Sequence, residues 1–311
     1  MKTPIPNPYC PPEEQDHRRN MRLEARIYSM IGEHPRVPKL IHWEDATCCL
    51  TMEYLANGNL KEYIQQNHGN ITLQLRLRWG RQAAEALMML HSLNVVHCDL
   101  LPRNFLLDLH LNLRIADFGG ASLGGSDPSA TPATRFRQPG YDWDVPPVFS
   151  DDLFSLGSLI YFIMTGSYPY EEVASNEVER LYEAQQFPDV SALVCGALIM
   201  RCWQQQQQQQ QQQVVVSAEA IHDCLLTIEG ECRLRESLVS VVWALAPSSR
   251  LPEVHFLWIF AFSSGCRIDR TPTRNQDVPH LNATRRAFGI SRGSYVHFAH
   301  LQENTTMSET R

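Results

Sequence analysis

Several features are missing from this 311-residue chain, and each absence removes a class of protein. There is no excess of positive charge: 27 Lys and Arg stand against 34 Asp and Glu, a formal net charge of -7, so neither nucleic acid nor an anionic membrane meets a basic field. No long hydrophobic run exists. A membrane-spanning helix needs about 20 apolar residues, and the longest candidate, "VHFLWIFAF" at 254–262, is too short. The start, "MKTPIPNPYCPPEEQDHRR", puts prolines and charges where a signal peptide carries its apolar segment. Cysteine is present but unpatterned. Its nine copies include no CxxC pair, which suits reduced thiols in the cytoplasm rather than a disulfide framework or a zinc site. What remains is a globular composition, 43% hydrophobic, sufficient for one large core or two modest ones.

The positive signals divide the chain into three zones. From Met21 to about Trp203, helical and strand-like patterns alternate; ten glutamines follow, Gln204 to Gln213; the last part, from about Gly230, has no clear period. "NMRLEARIYSMIG" predicts a helix that Gly32 ends, and "HPRVPKLIHW" and "CCLTMEYL" predict strands. "LQLRLRWGRQAAEALMMLHSL" predicts a long helix, and "FLLDLHLNLRIADF" two short strands around a polar turn. "SDDLFSLGSLIYFIMTG" is apolar on almost every side, so this helix is expected at the centre of a domain, with Asp151 and Asp152 capping its first turn. The glutamine tract is expected to be a repeat expansion in a surface loop. Beyond it, "VVVSAEAIHDCLLTIEG" regains helical spacing, with Ser217 as N-cap and an end by Gly230. The tail from Glu231 is expected to be a poorly ordered extension.

One stretch, "VVHCDLLPRNFLLD", sets polar groups between two apolar runs. Asp99 and Asn104 lie five residues apart there, and Asp117, in "ADFGG", follows thirteen residues beyond Asn104. A phosphoryl-transfer site needs such groups: a carboxylate to accept the proton of an attacking hydroxyl, and oxygen ligands to hold magnesium against phosphates.

On these residues the chain resembles a eukaryotic-type protein kinase, and within that family the divergent kinases of filamentous fungi. "HCD" is similar to the H-R-D of the kinase catalytic loop, Asn104 to its metal-binding asparagine, and Asp117-Phe118-Gly119 to the D-F-G motif. The resemblance implies an α+β, two-lobe fold with an incomplete N-terminal β lobe at 1–55 and a mainly helical C-terminal lobe at 56–230, the latter carrying the glutamine insert at 204–213; residues 231–311 fall outside it. It implies ATP and Mg2+ as cofactors and a protein as substrate, with serine or threonine preferred over tyrosine. Asp99 would be the catalytic base, with Asn104 and Asp117 on metal. Glu24 would pair with Lys2, while Met52, Glu53, Leu55 and Leu106 would line the adenine pocket. A packed spine of Leu40, Tyr28, Phe118 and His97 would stand on Asp152, which braces the catalytic loop. Oligomeric state is left open.

Departures from the family pattern bear on activity. Lys2 takes the place of the strand lysine with only Met1 before it, so an N-terminal truncation that removes the glycine-rich loop is expected. The residues leave open whether Lys2 serves the phosphates or is a mobile terminal lysine. Cys98 replaces the arginine that holds a phosphorylated activation segment in many kinases, so that switch is not expected here. Leu101 stands where serine/threonine kinases usually place lysine, and Arg103 where tyrosine kinases often have arginine. The alternative to an active enzyme is a pseudokinase whose helical lobe acts as a protein-binding scaffold.

Overall fold

A computed structural model describes residues 1–7, 9–205 and 217–245, with side chains as far as 238. Most of the glutamine tract and everything from 246 onward, including the apolar patch around Trp258, lie outside the described residues.

Helix α1, Pro11–Ile31, begins well before the predicted start. Pro11 and Pro12 suit a first turn whose N–H groups have no intrahelical partner, and Glu13 and Glu14 sit at its positive end. Gly32 ends it at φ +67°, donating its N–H to the Tyr28 carbonyl. The buried face carries Met21, Glu24, Ala25, Ile27 and Tyr28, at helical spacing, so one carboxylate is buried among apolar neighbours.

That face meets a small sheet. Strands β1, Leu40–Glu44, and β2, Cys49–Met52, form an antiparallel hairpin with a register shift between Leu40 and His42. Only the second half of "HPRVPKLIHW" is strand, since Pro38 has no N–H to give a ladder. Lys2 adds to the other edge of β2, exchanging two backbone hydrogen bonds with Leu50 at 2.7 and 2.9 Å.

The larger part is helical. It comprises α2 (Leu60–Asn67), α3 (Leu73–Ser92), α4 (Phe149–Thr165), α5 (Ser175–Glu183), α6 (Gly196–Trp203) and α7 (Ala218–Leu245). Asn59, Thr72 and Ser217 cap α2, α3 and α7, each accepting a backbone N–H three residues on. Helix α4 is buried on nearly every side, as its composition predicts, and packs against α3 and α6. Gly157 permits the α6 contact: a Cβ there would sit 2.6 Å from the Cys202 Cβ. Short hairpins complete the fold: β3 (Val95–Val96) pairs with β6 (Ser122–Leu123), and β4 (Phe105–Leu107) with β5 (Leu113–Ile115).

Three expectations need correction. Helix α7 does not end by Gly230 but continues to Leu245, with Glu229 bridging Arg81 and Arg233 across that position. Asp151 caps α4 by accepting the Val148 N–H at 2.8 Å, but Asp152 turns away from the helix end toward the loop after β3. The glutamine tract is not wholly in a surface loop, because Gln205 is buried and donates to the Cys202 carbonyl.

Candidate active site

The loop after β3 is fixed by a buried carboxylate. Asp152 Oδ2 accepts the His97 N–H at 2.8 Å and Oδ1 the Cys98 N–H at 3.1 Å, while His91 Nε2 lies 3.1 Å from Oδ2. These bonds hold Cys98 at φ +65°, a conformation few residues adopt without such restraint. Burial pushes the Cys98 thiol far above its ordinary value, so it stays protonated. His97 then links two segments. Its Nδ1 accepts the Asp99 N–H at 3.2 Å, which assigns the proton to Nε2, and Nε2 donates to the Ala116 carbonyl at 3.2 Å.

Asn104 works beside it. Its amide Nδ2 donates to the Asp99 carbonyl at 2.7 Å and to Asp99 Oδ2 at 2.9 Å, and its own carbonyl accepts the Ala116 N–H at 2.9 Å. Both backbone groups of Ala116 are therefore fastened to the loop that carries Asp99, and Asp117 is the next residue. Arg103 Nη2 also reaches Asp99 Oδ2, at 2.9 Å. The Asp99 carboxylate is thus oriented from two sides.

Asp117, at φ +73°, presents its carboxylate to Lys2, whose Nζ is 2.7 Å from Oδ1. The same ammonium bonds Glu24 Oε1 at 2.9 Å and Oε2 at 2.8 Å. Lys2 is therefore fixed rather than a loose terminal residue. Burial pulls the Lys2 ammonium down, but Glu24 and Asp117 together hold it above the ordinary lysine value. For Asp117, burial acts upward, yet Lys2, with His97 and Arg103 beyond it, keeps the carboxyl below the usual range. Glu24 is different: burial lifts it above the ordinary value, and Lys2 offsets only part of that. Behind this cluster Phe118 packs edge-on between Tyr28, 4.9 Å away, and His97, 5.7 Å away, and Leu40 lies against the same core.

The remaining predicted residues lie on the segment between β2 and α2 and on β4. Met52 is half-buried at the end of β2, and Leu55 is buried. Neither the Glu53 carbonyl nor the Leu55 N–H is engaged among the described residues. Leu106 alternates with the buried Phe105 and Leu107, so it leaves the face those two occupy.

Comparison with known proteins matches this arrangement to a family. A family model described as protein tyrosine and serine/threonine kinase covers residues 10–217, two-thirds of the chain. The chain belongs to the protein kinase family. It is 27% identical over 209 residues to ephrin type-A receptor 5 of Gallus gallus, a match covering 61% of this chain and 20% of the receptor. It is 26% identical over 204 residues to ephrin type-A receptor 3 of Danio rerio, covering 61% and 21% respectively. The chain thus spans about a fifth of the length of the curated relatives it matches. The family's α+β architecture agrees with the few strands and many helices described above. No described helix is long and apolar enough to cross a membrane.

The donor set of this kinase fits magnesium held together with phosphates better than a metal held by protein alone. Among the described residues no group of three or more His, Cys, Asp or Glu forms a metal cage. Asn104 commits its amide nitrogen to Asp99, leaving its side-chain oxygen, and Asp117 adds a carboxylate that is half exposed. Two hard oxygen donors suit an ion that keeps several waters and takes the rest of its ligands from a nucleotide.

Sequence reasoning missed three contributors. His91 stacks on Phe149, with ring centroids 4.3 Å apart, and bonds Asp152. Arg103 was read only as a marker of substrate class, although its spacing of four from Asp99 permits the ion pair. Arg114 reaches Glu53 across 61 positions, for which no local signal exists.

Proposed function

We propose that the chain binds ATP with Mg2+ in this cleft and transfers the γ-phosphoryl group to a protein hydroxyl. The observation that supports it most is the fastening of Ala116 at both backbone groups to His97 and Asn104, which ties the residue before Asp117 to the loop that carries Asp99. Asp99, oriented by Asn104 and Arg103, accepts the proton of the attacking hydroxyl. Asn104 and Asp117 hold the metal, which neutralises charge on the phosphates when bound. Lys2 is kept cationic by Glu24 and releases Asp117 to take phosphate oxygens in its place. Met52 and Leu106 enclose the base, and the free backbone groups of Glu53 and Leu55 meet its polar edge. Serine or threonine is the acceptor in this reading, while Leu101 in the place of a lysine and the Arg103–Asp99 pair favour tyrosine instead. The described cysteines are all free thiols, which supports a cytoplasmic setting.

A pseudokinase scaffold is the second reading. It is favoured by the closure of Lys2 on both Glu24 and Asp117, which leaves its ammonium self-satisfied. Phosphotransfer by purified protein to mixed serine, threonine and tyrosine peptides separates the two. Asp99→Asn is expected to lower the rate by about two to four orders of magnitude, as removal of a general base does. Absence of wild-type transfer, with partner capture unchanged in Asp99→Asn, sinks the enzyme reading.

A further inference from the structure

We propose that the apolar segment at 254–262 packs within its own chain against the exposed leucine face of α7, as the returning arm of a helical hairpin. The phosphotransfer reading above uses neither of them.

Helix α7 is supported by α3 along one side and for part of its length. Its buried residues, Ala218, Ile221, Leu225, Glu229 and Cys232, recur at helical spacing, and none of 233–238 is buried. The reason is length. Arg81 pairs with Glu229 and Gln74 with Glu236, so α7 runs antiparallel to α3 and draws level with its start, Leu73, one residue past Glu236. The rest of the helix, to Leu245, overshoots α3 by about 12 Å. Three leucines stand off the buried side: Leu226 is 47% exposed, Leu234 66% and Leu238 60%. At the helical period they fall within an arc of about 120°, centred opposite the face on α3. An exposed leucine alone is ordinary, but three on one side of a helix that has outrun its support form a surface that gains from cover.

The chain carries a segment suited to cover it. Directly after α7 come "APSSRLPE" at 246–253 and then "VHFLWIFAF", in which eight of nine residues are apolar and none is Asp, Glu, Lys or Arg. Pro247 and Pro252 oppose a helix running on from α7 into the apolar segment, and a connection of eight residues is within the range that joins neighbouring antiparallel helices. A segment lying on a helix, away from any sheet edge, must satisfy its backbone N–H and C=O groups internally, so it docks as a helix. Nine residues then give about 14 Å, enough to cover Leu234 and Leu238. Tethering decides between this occupant and a second copy. A short linker holds the segment at an effective concentration in the millimolar range, which a second chain at micromolar concentration does not match.

The test places the photocrosslinker p-benzoyl-phenylalanine at Leu234 of the full chain and irradiates an equal mixture of unlabelled and heavy-isotope-labelled protein. Mass spectrometry is expected to join position 234 to 254–262 in peptide pairs of one isotope only, at a yield that dilution does not change. Mixed-isotope pairs would make the occupant a second copy and overturn the proposal. So would crosslinks to 254–262 no more frequent than those from the same group at Leu109, an exposed leucine on the β4–β5 turn. Amide hydrogen exchange reads the contact independently: Leu234→Asp combined with Leu238→Asp should speed exchange across 254–262 by about tenfold or more while α4 stays protected. Unchanged exchange there, with α4 protected, also overturns the proposal. Trp258→Asp tests the contact from the other side, with the same expected acceleration, if the double variant loses protection in α4.

Discussion

Lys2 Nζ and Asp117 Oδ1 lie 2.7 Å apart although 115 residues separate them in the chain, and Glu24 holds the same ammonium through both of its oxygens. One cation thus neutralises a buried carboxylate from α1 and a half-exposed one from the segment after β5.

Replacing Lys2 by methionine is expected to destabilise the protein at pH 7 by about 1–3 kcal/mol, less than breaking a fully buried pair because Lys2 is partly exposed. The loss arises at Glu24, left charged and buried. Its carboxyl is already raised by burial, so the folded state binds a proton more tightly than the unfolded state, and stability increases as pH falls toward the ordinary glutamate value. Urea unfolding of Lys2→Met between pH 7 and 4 should show the deficit shrinking with acid. A deficit that is constant or grows in acid contradicts this origin.

The two ends of this cluster were legible in the sequence to different degrees. "HCDLLPRN" and "ADFGG" are local patterns whose residue types announce their chemistry; Asn104 bonds Asp99, and Ala116, the residue before Asp117, is tied to Asn104. The burial of α4 followed from its all-round apolar composition. Lys2 offered no such pattern, because its place depends on a two-bond bridge to Leu50 that no periodicity encodes. The end of α7 was misread because a glycine was taken as a stop, where the Glu229 ion pairs carry the helix past it. Asp152 carried two expectations, a cap from its place in a first helical turn and a brace for the catalytic loop from the family resemblance, and the two backbone N–H groups 54 and 55 residues away that claim it agree with the second.

Asp151 supplies a second pH signature. It is buried at the start of α4, and burial, with the Asp152 charge adding to it, lifts its carboxyl to about 6 despite the Val148 and Gln138 hydrogen bonds. Its folded value exceeds the unfolded one, so stability declines as pH rises from about 4 to 6 and the full cost persists above that. Asp151→Asn keeps an acceptor for the Val148 N–H and removes the charge. It is expected to raise stability at pH 7 by about 1–2 kcal/mol and to flatten the profile between pH 4 and 6. Thermal unfolding across that range checks both parts, and an unaltered slope refutes the assignment.

Gly157→Ala tests the close approach of α4 and α6. Alanine favours a helix over glycine by roughly 1 kcal/mol, but here the added methyl would meet the Cys202 Cβ at 2.6 Å, an atom that cannot move without its backbone. Overpacking should win, with a net loss of about 1–3 kcal/mol in denaturant unfolding. A stabilised Gly157→Ala protein would show that the two helices are not packed as described.

Asp152→Asn changes one atom and carries the strongest expectation for activity without touching a reacting group. The carboxylate accepts from two backbone N–H groups, one on each oxygen, and is 1% exposed. An amide can accept on one oxygen only, so its NH2 must face either the His97 or the Cys98 N–H, leaving a buried donor against a donor. The unsatisfied pair costs about 1–3 kcal/mol of stability. Relief comes most readily by rotation of the His97–Cys98 backbone out of its positive-φ conformation, which carries the Asp99 carboxylate away from its place beside Asn104. The expected kinetic signature is a fall in kcat of about tenfold or more with nucleotide affinity nearly unchanged, since the segment holding Met52, Glu53 and Leu55 has no bond to this loop. A drop confined to nucleotide affinity would mean that Asp152 steadies the cleft as a whole and not the position of the base.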